Sequence, residues 1–312
     1  MDLSAFYLVV LALFVMLIVG YIARKVNIIN DNVSKALSTI VIKVGQPFMI
    51  VGAMIKIEYS AERLKNGFIV LGLGIAFHAV LAVVAFFAVF KYKNINERKI
   101  CEFASIFGNC GFIGFPLVES ILGAEGLFYA SFFIVSFNLF TWTWGIIILA
   151  RGREDIKINP KSMILNYGTL PCIIGLVLFV SRLPIPGFVA TSVSYLGSIC
   201  TPISMLITGA LIATVPIKDL FCDLKVYSAC GIKLIIAPAL MTLLTWAFGF
   251  NMIYVLFMAV VFAMPTATAT VMFAELYEIE KKKAAVTCGL SSLLSMLTMP
   301  LIMGCIQAIF NI

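Results

Sequence analysis

Long apolar runs separated by short polar punctuation dominate this chain. Ten of them approach or exceed the roughly 20 apolar residues that a membrane-spanning helix requires. They lie at about 4–23, 33–55, 67–90, 100–122, 127–150, 162–181, 191–214, 226–248, 253–276 and 285–310. The first run ends at Arg24-Lys25, with no basic segment before it and no small-residue cleavage pattern after it. It therefore reads as a helix of the mature protein rather than a signal peptide. The connections are short. The longest, 151–161, reads RGREDIKINPK and divides the chain near its middle.

Composition strengthens this picture. Of 312 residues 62% are hydrophobic and 12% charged, against about 45–50% and 25% in soluble domains. Mean hydropathy is +1.10. The pattern predicts an all-α polytopic membrane protein in which ten helices use up the chain, leaving no room for a soluble catalytic domain. The net charge of +7 does not indicate nucleic acid, because the basic residues cap apolar runs and form no patch interleaved with aromatics. Sixteen Lys and Arg fall in odd-numbered connections, from Arg24-Lys25 to Lys281-Lys282-Lys283, and four in even-numbered ones: Lys56, Arg63, Lys65 and Arg182. Positive residues favour the cytoplasmic side, so the reading is a multi-pass protein of the plasma or inner membrane with both termini outside. The eight cysteines form no CxxC pair and lie mostly inside apolar runs; with His78 the only histidine, no metal site is expected.

Five helices on each side of the central connection predict two repeats of opposite orientation: 1–150, a cytoplasmic linker 151–161, and 162–312. Gly52-Ala53-Met54-Ile55 and Gly209-Ala210-Leu211-Ile212 support this, as do Pro47 with Pro202 and Pro116 with Pro265, at offsets of about 150–157. Runs four and nine are interrupted. Phe107–Val118 reads FGNCGFIGFPLV and Phe262–Phe273 reads FAMPTATATVMF. Neither makes a regular helix, because Gly and Pro break the ladder, and freed backbone groups survive at membrane depth only inside protein or beside a wet cavity. Two ordinary Pro kinks are one reading. The other is a pair of discontinuous helices crossing at mid-membrane, whose half-helix N-termini favour an anion. Thr266, Thr268 and Thr270 are placed to bond freed carbonyls.

The run Gly108-Asn109-Cys110-Gly111-Phe112-Ile113-Gly114-Phe115-Pro116-Leu117 resembles the fourth-helix motif of the auxin efflux carrier family. Asn159-Pro160, Lys233 with Pro238, Pro265 with Phe273-Ala274-Glu275-Leu276-Tyr277, and Pro300 extend the resemblance over nearly the whole chain. It implies ten helices in two inverted repeats and elevator-like transport of a small organic anion, with neither cofactor nor enzymatic activity. The short central connection and the lack of an acidic residue in run three argue against auxin itself and for a dicarboxylate or similar anion. The expected partners are that anion, the bilayer and a second copy of the chain. A channel or a sensor without turnover is the alternative.

The expected substrate-binding residues are Asn109, Cys110, Gly111, Pro116, Asn138, Pro265, Thr266 and Thr268. Asn109 caps a half-helix, contacts substrate, or does both; Asn138 makes an interhelical hydrogen bond or contacts substrate. Lys43, near mid-depth, is expected to face an interior, and His78 to relay protons or serve as a bonded core residue; both are candidates for coupling or gating. Lys233 is expected to snorkel or to meet a backbone carbonyl. Glu102, Glu119 and Glu275 are expected to be solvated at helix ends.

Overall fold

The computed structural model describes residues 3–153 and 165–310. Most of the central connection, with Asn159-Pro160, lies outside the described residues. Helix α1 (Ser4–Lys25) is followed by α2 (Asp31–Ile40) and α3 (Gln46–Ile55), joined through a π-helical turn at Val41–Gly45. Asn30 caps α2 by accepting from the Val33 amide at 3.0 Å. The π turn has a cause: Pro47 lacks an N–H and crowds the Lys43 carbonyl, so the ladder widens ahead of it. A second π turn, Ile232–Ile236, precedes Pro238 in the same way, between α12 (Leu224–Gly231) and α13 (Ala237–Ala247).

Helix α4 (Ala61–Val89) is unbroken. Run four splits into α5 (Ile95–Ile106) and the first turns of α6 (Gly114–Phe140). Gly123 adopts φ 61°, ψ −152° inside α6, a conformation for which glycine is needed. It sits where runs four and five were expected to part. A π turn at Thr141–Gly145 leads to α7 (Ile146–Ala150). After the central connection come α8 (Thr169–Ser181), α9 (Gly187–Ser198), α10 (Cys200–Thr214) and a short α11 (Ile217–Leu220). Run nine splits into α14 (Met252–Ala263) and α15 (Ala269–Leu276), and α16 (Lys281–Phe310) closes the described chain.

Seven helical stretches among the described residues are long and apolar enough to cross a membrane: Ser4–Lys25, Asp31–Ile55, Ala61–Val89, Gly114–Ala150, Gly187–Thr214, Leu224–Ala247 and Lys281–Phe310. Thr169–Ser181 and Met252–Ala263 are apolar but shorter. The difference from ten runs arises because runs four and nine are cut by their breaks and the start of run six lies outside the described residues, while the end of run four and run five part at the Gly123 kink as expected and fall within one stretch.

The helices pack in two sets. α1 lies along α10, and α3 packs on α8 and α9. α4 packs on α5 and α6, α13 on α14, and α16 on α5, α12, α14 and α15. Where α1 meets α10 the backbones touch: a Cβ on Gly20 would overlap the Leu206 carbonyl, and one on Gly209 the Leu17 carbonyl. In lipid, where apolar side chains gain nothing by leaving their solvent, such small-residue contacts hold helices together. At one edge of the second set an ionic cluster ties α5 to α12 and α16. Glu97 pairs with Lys225 and, at 2.7 Å, with Lys283; Lys283 also meets Asp223 at 2.9 Å.

Candidate functional site

The two helix breaks meet each other. Phe107 and Met264, the residues that follow α5 and α14, are extended, and the segments pair as an isolated antiparallel bridge between Gly108 and Thr266. The Asn109 amide donates to the Pro265 carbonyl at 2.7 Å, and the Ala267 amide to the Phe107 carbonyl at 2.9 Å. Broken helices leave orphan donors and acceptors, and here each break satisfies the other's. α16 helps: Ser291 Oγ accepts from the Thr266 amide at 2.8 Å. Thr266 Oγ1 donates to the Ala104 carbonyl at 3.1 Å, as expected of a threonine beside a break, although the carbonyl belongs to the partner half-helix α5. Thr270 departs from expectation, since its buried hydroxyl has no partner among the described residues.

Two cationic or titratable side chains approach the crossing. Lys233 is 1% exposed, and its Nζ donates to the Phe262 carbonyl at 3.2 Å. That carbonyl belongs to the last turn of α14, so the ammonium satisfies an orphan acceptor at the negative end of a half-helix dipole. The carbonyl contact expected of Lys233 is present; snorkelling is not. A Cβ on Gly108 would lie 2.7 Å from Lys233 Cε and Nζ, so the glycine leaves room for the lysine. His78 is buried, with Nδ1 2.6 Å from the Gly74 carbonyl, which places a proton on Nδ1. Phe133 and Phe140 pack on it at ring distances of 5.4 Å and Phe262 at 5.6 Å. This arrangement matches the bonded core residue.

Asn109 is 5% exposed, and its side-chain Oδ1 accepts from the Phe112 amide at 3.4 Å. Its backbone carbonyl accepts from Ile113 and Gly114 at 3.3 and 3.2 Å. It thus shapes the start of α6. Cys110, Gly111 and Pro265 are buried around the crossing, whereas Pro116 and Thr268 are half-buried. Asn138 stands apart on α6, against Gly168 at the entry to α8. Its Nδ2 donates at 2.8 Å to Ile134 of its own helix rather than across helices, because the i−4 carbonyl is the nearest acceptor.

The crossing itself is filled. Its flank, bordered by His78, Cys110, Lys233 and Phe262, holds no water-sized void. A cavity of about 160 Å³ instead lies against the first turns of α6, between α3 and α9. Phe115, Pro116 and Glu119 of α6 line it with Lys56 after α3, Ser194 and Ser198 of α9, and Thr201 of α10. Thr201 Oγ1 donates to the Phe112 carbonyl at 3.3 Å, tying α10 to the break. Of the expected binding residues, Pro116 alone lines this cavity. α6 borders this cavity, and no residue of α15 lines it.

Two further expectations change. Lys43 is exposed, with Nζ 5.9 Å from the centre of the Tyr167 ring, because the π turn rotates it off the packed face. Glu102 is fully buried, not solvated; it forms a two-point pair with Arg151, Nη2 to Oε1 at 2.8 Å. Lys99, three residues before it, is buried as well. Glu119 and Glu275 are exposed as expected. The sequence reading passed over Lys56, Glu119 and the hydroxyls of α9 because each sits at the end of an apolar run, where a polar residue needs no special explanation.

Sequence comparison places this chain among membrane transport proteins. A family model described as membrane transport protein matches residues 5–303. An uncharacterized transporter of Methanocaldococcus jannaschii is 27% identical over 302 residues, covering 94% of this chain and 96% of the relative. An uncharacterized transporter of Methanothermobacter thermautotrophicus is 20% identical over 295 residues, covering 94% and 95%.

Proposed function

Because the chain belongs to the membrane transport protein family, whose auxin efflux carrier-like members it resembled in sequence, we propose that it is a secondary carrier for a small carboxylate. The observation that carries this reading is the stitched pair of helix breaks with a cavity against the first turns of α6. The start of α6 carries the partial positive charge of a helix N-terminus, and Lys56, from another element, adds a full one. An anion is thereby held by groups that surrender it again without leaving a buried fixed charge.

In this reading the ten apolar runs span the membrane as two inverted repeats, 1–150 and 162–312, with 151–161 in the cytoplasm and both termini outside. The set containing α1, α3, α8, α9 and α10 is the fixed part. The set built on the crossing moves against it, carrying Pro116 and Glu119 past Ser194 and Thr201 in an elevator-like step. Asn109, Cys110, Gly111, Pro265, Thr266 and Thr268 act by holding the crossing rigid while it moves, and His78 and Lys233 pack it from either side.

Counterflow in proteoliposomes tests this. Labelled small carboxylates should exchange saturably, and Ser194→Trp, which fills the cavity from its wall, should abolish exchange while the protein stays folded and monodisperse. Unimpaired exchange in that variant places the substrate elsewhere, and unitary conductance in its place marks a channel.

A further inference from the structure

The cavity beside α6 carries both signs of charge. Lys56 and Glu119 line it on different elements, and neither joins an ion pair among the described residues. The other interhelical carboxylates described above are paired: Glu97 with two lysines, Asp223 with Lys283, Glu102 with Arg151. Lys56 follows the last residue of α3 and Glu119 lies in the second turn of α6. Lys56 therefore sits at a helix end whose dipole favours it. The fold holds both without pairing them to each other, and both remain available to a ligand.

The hydroxyls set the polarity of the remaining wall. Ser198 Oγ donates to the Tyr195 carbonyl at 2.8 Å and Thr201 Oγ1 to the Phe112 carbonyl at 3.3 Å. With their hydrogens committed, these oxygens meet a ligand as acceptors. The cavity thus offers an anion-seeking group, Lys56, and donor-seeking ones, Glu119 with two oriented hydroxyls. A dicarboxylate matches the first and is repelled by the second. An α-amino acid matches both.

We infer that the carried carboxylate is a zwitterionic α-amino acid, its carboxylate towards Lys56, its ammonium towards Glu119, Ser198 and Thr201. This rests on the reading above that the cavity is the carrier's binding site.

Titration of the purified protein with alanine, serine, lactate and malonate tests it, since lactate keeps the shape of alanine with a hydroxyl in place of the ammonium. Alanine or serine should bind at least tenfold more tightly than lactate or malonate, as expected for hydrogen bonds to a charged group. Glu119→Gln should weaken alanine about tenfold and shrink the alanine-to-lactate ratio; Lys56→Gln should weaken both. Both side chains are exposed, so the variants should fold as wild type. Lactate or malonate binding as tightly as alanine, or an unchanged ratio in Glu119→Gln, overturns the inference while the carboxylate carrier stands. Failure of all four ligands to bind overturns both.

Discussion

Removing Arg151 should destabilise this protein far more than removing its partner Glu102. Glu102 is the only buried carboxylate among the described residues, and the pair's side-chain exposures are unequal, 24% for Arg151 and 0% for Glu102. Arg151→Met strands an enclosed anion on α5, one turn before the break. Losing one partner of a buried pair costs about 3–5 kcal/mol. Glu102→Met leaves a guanidinium near the surface that can turn outward and keep its contact with Phe86, 5.5 Å away. The cost is then nearer the net worth of a charged hydrogen bond, about 1.5–3 kcal/mol. The double variant replaces the pair by apolar groups and should return to within about 1 kcal/mol of wild type, since such replacements are often neutral. At about 2 °C per kcal/mol for a chain of this length, Arg151→Met should melt about 6–10 °C below wild type. Heating in detergent, read by the surviving monodisperse peak in size-exclusion chromatography, gives the four corners of the cycle. Equal losses in the two single variants, or a double variant worse than Arg151→Met, would refute the asymmetry argued from burial.

Gly209→Leu should separate α1 from α10, because even a Cβ there overlaps the Leu17 carbonyl and approaches the Tyr21 amide to 2.8 Å; loss of folded protein in detergent, against little change for exposed Gly72→Leu, checks it. Asn109→Ala should cost about 1 kcal/mol as a lost turn hydrogen bond to the Phe112 amide and weaken carboxylate binding less than tenfold; a larger affinity loss at unchanged melting temperature would return Asn109 to direct contact. Acid should loosen the cluster joining α5, α12 and α16. Hydrogen bonds from Lys225 and Lys283 hold the Glu97 carboxyl below its ordinary 4.5. Partial burial pushes the Asp223 carboxyl up, but Lys283 and the amides of Lys225 and Val226 outweigh it and leave it below 3.8. A depressed carboxyl contributes stability that is fully present above its unfolded value and is lost as pH falls through the folded one. The melting temperature should therefore hold from neutrality to about pH 5 and fall below about pH 4.5, with a shallower fall in Glu97→Gln.

What the sequence determined by itself is local. Run length against membrane thickness decided that the chain lives in lipid, and Gly108, Gly111, Gly114, Pro116 and Pro265 marked both breaks, because backbone permissiveness and a missing N–H act within one turn wherever they occur. The family was legible for the same reason, since its motif is that break. The tertiary structure alone decided which groups face each other. The pattern could not say that the Asn109 amide would be spent on Pro265, that Lys43 would turn outward, or that Glu102 would lie enclosed against a residue 49 positions away. Nor could it bring Lys56, Glu119 and Ser194 to one cavity. In a chain this apolar nearly every helix is greasy on all sides. The hydrophobic pattern, which in water tells a helix which face to bury, therefore leaves the rotation of each helix open. That rotation is fixed by backbone contacts such as Gly20 with Leu206, by the bonds that close the crossing, and by a few charges that must find partners.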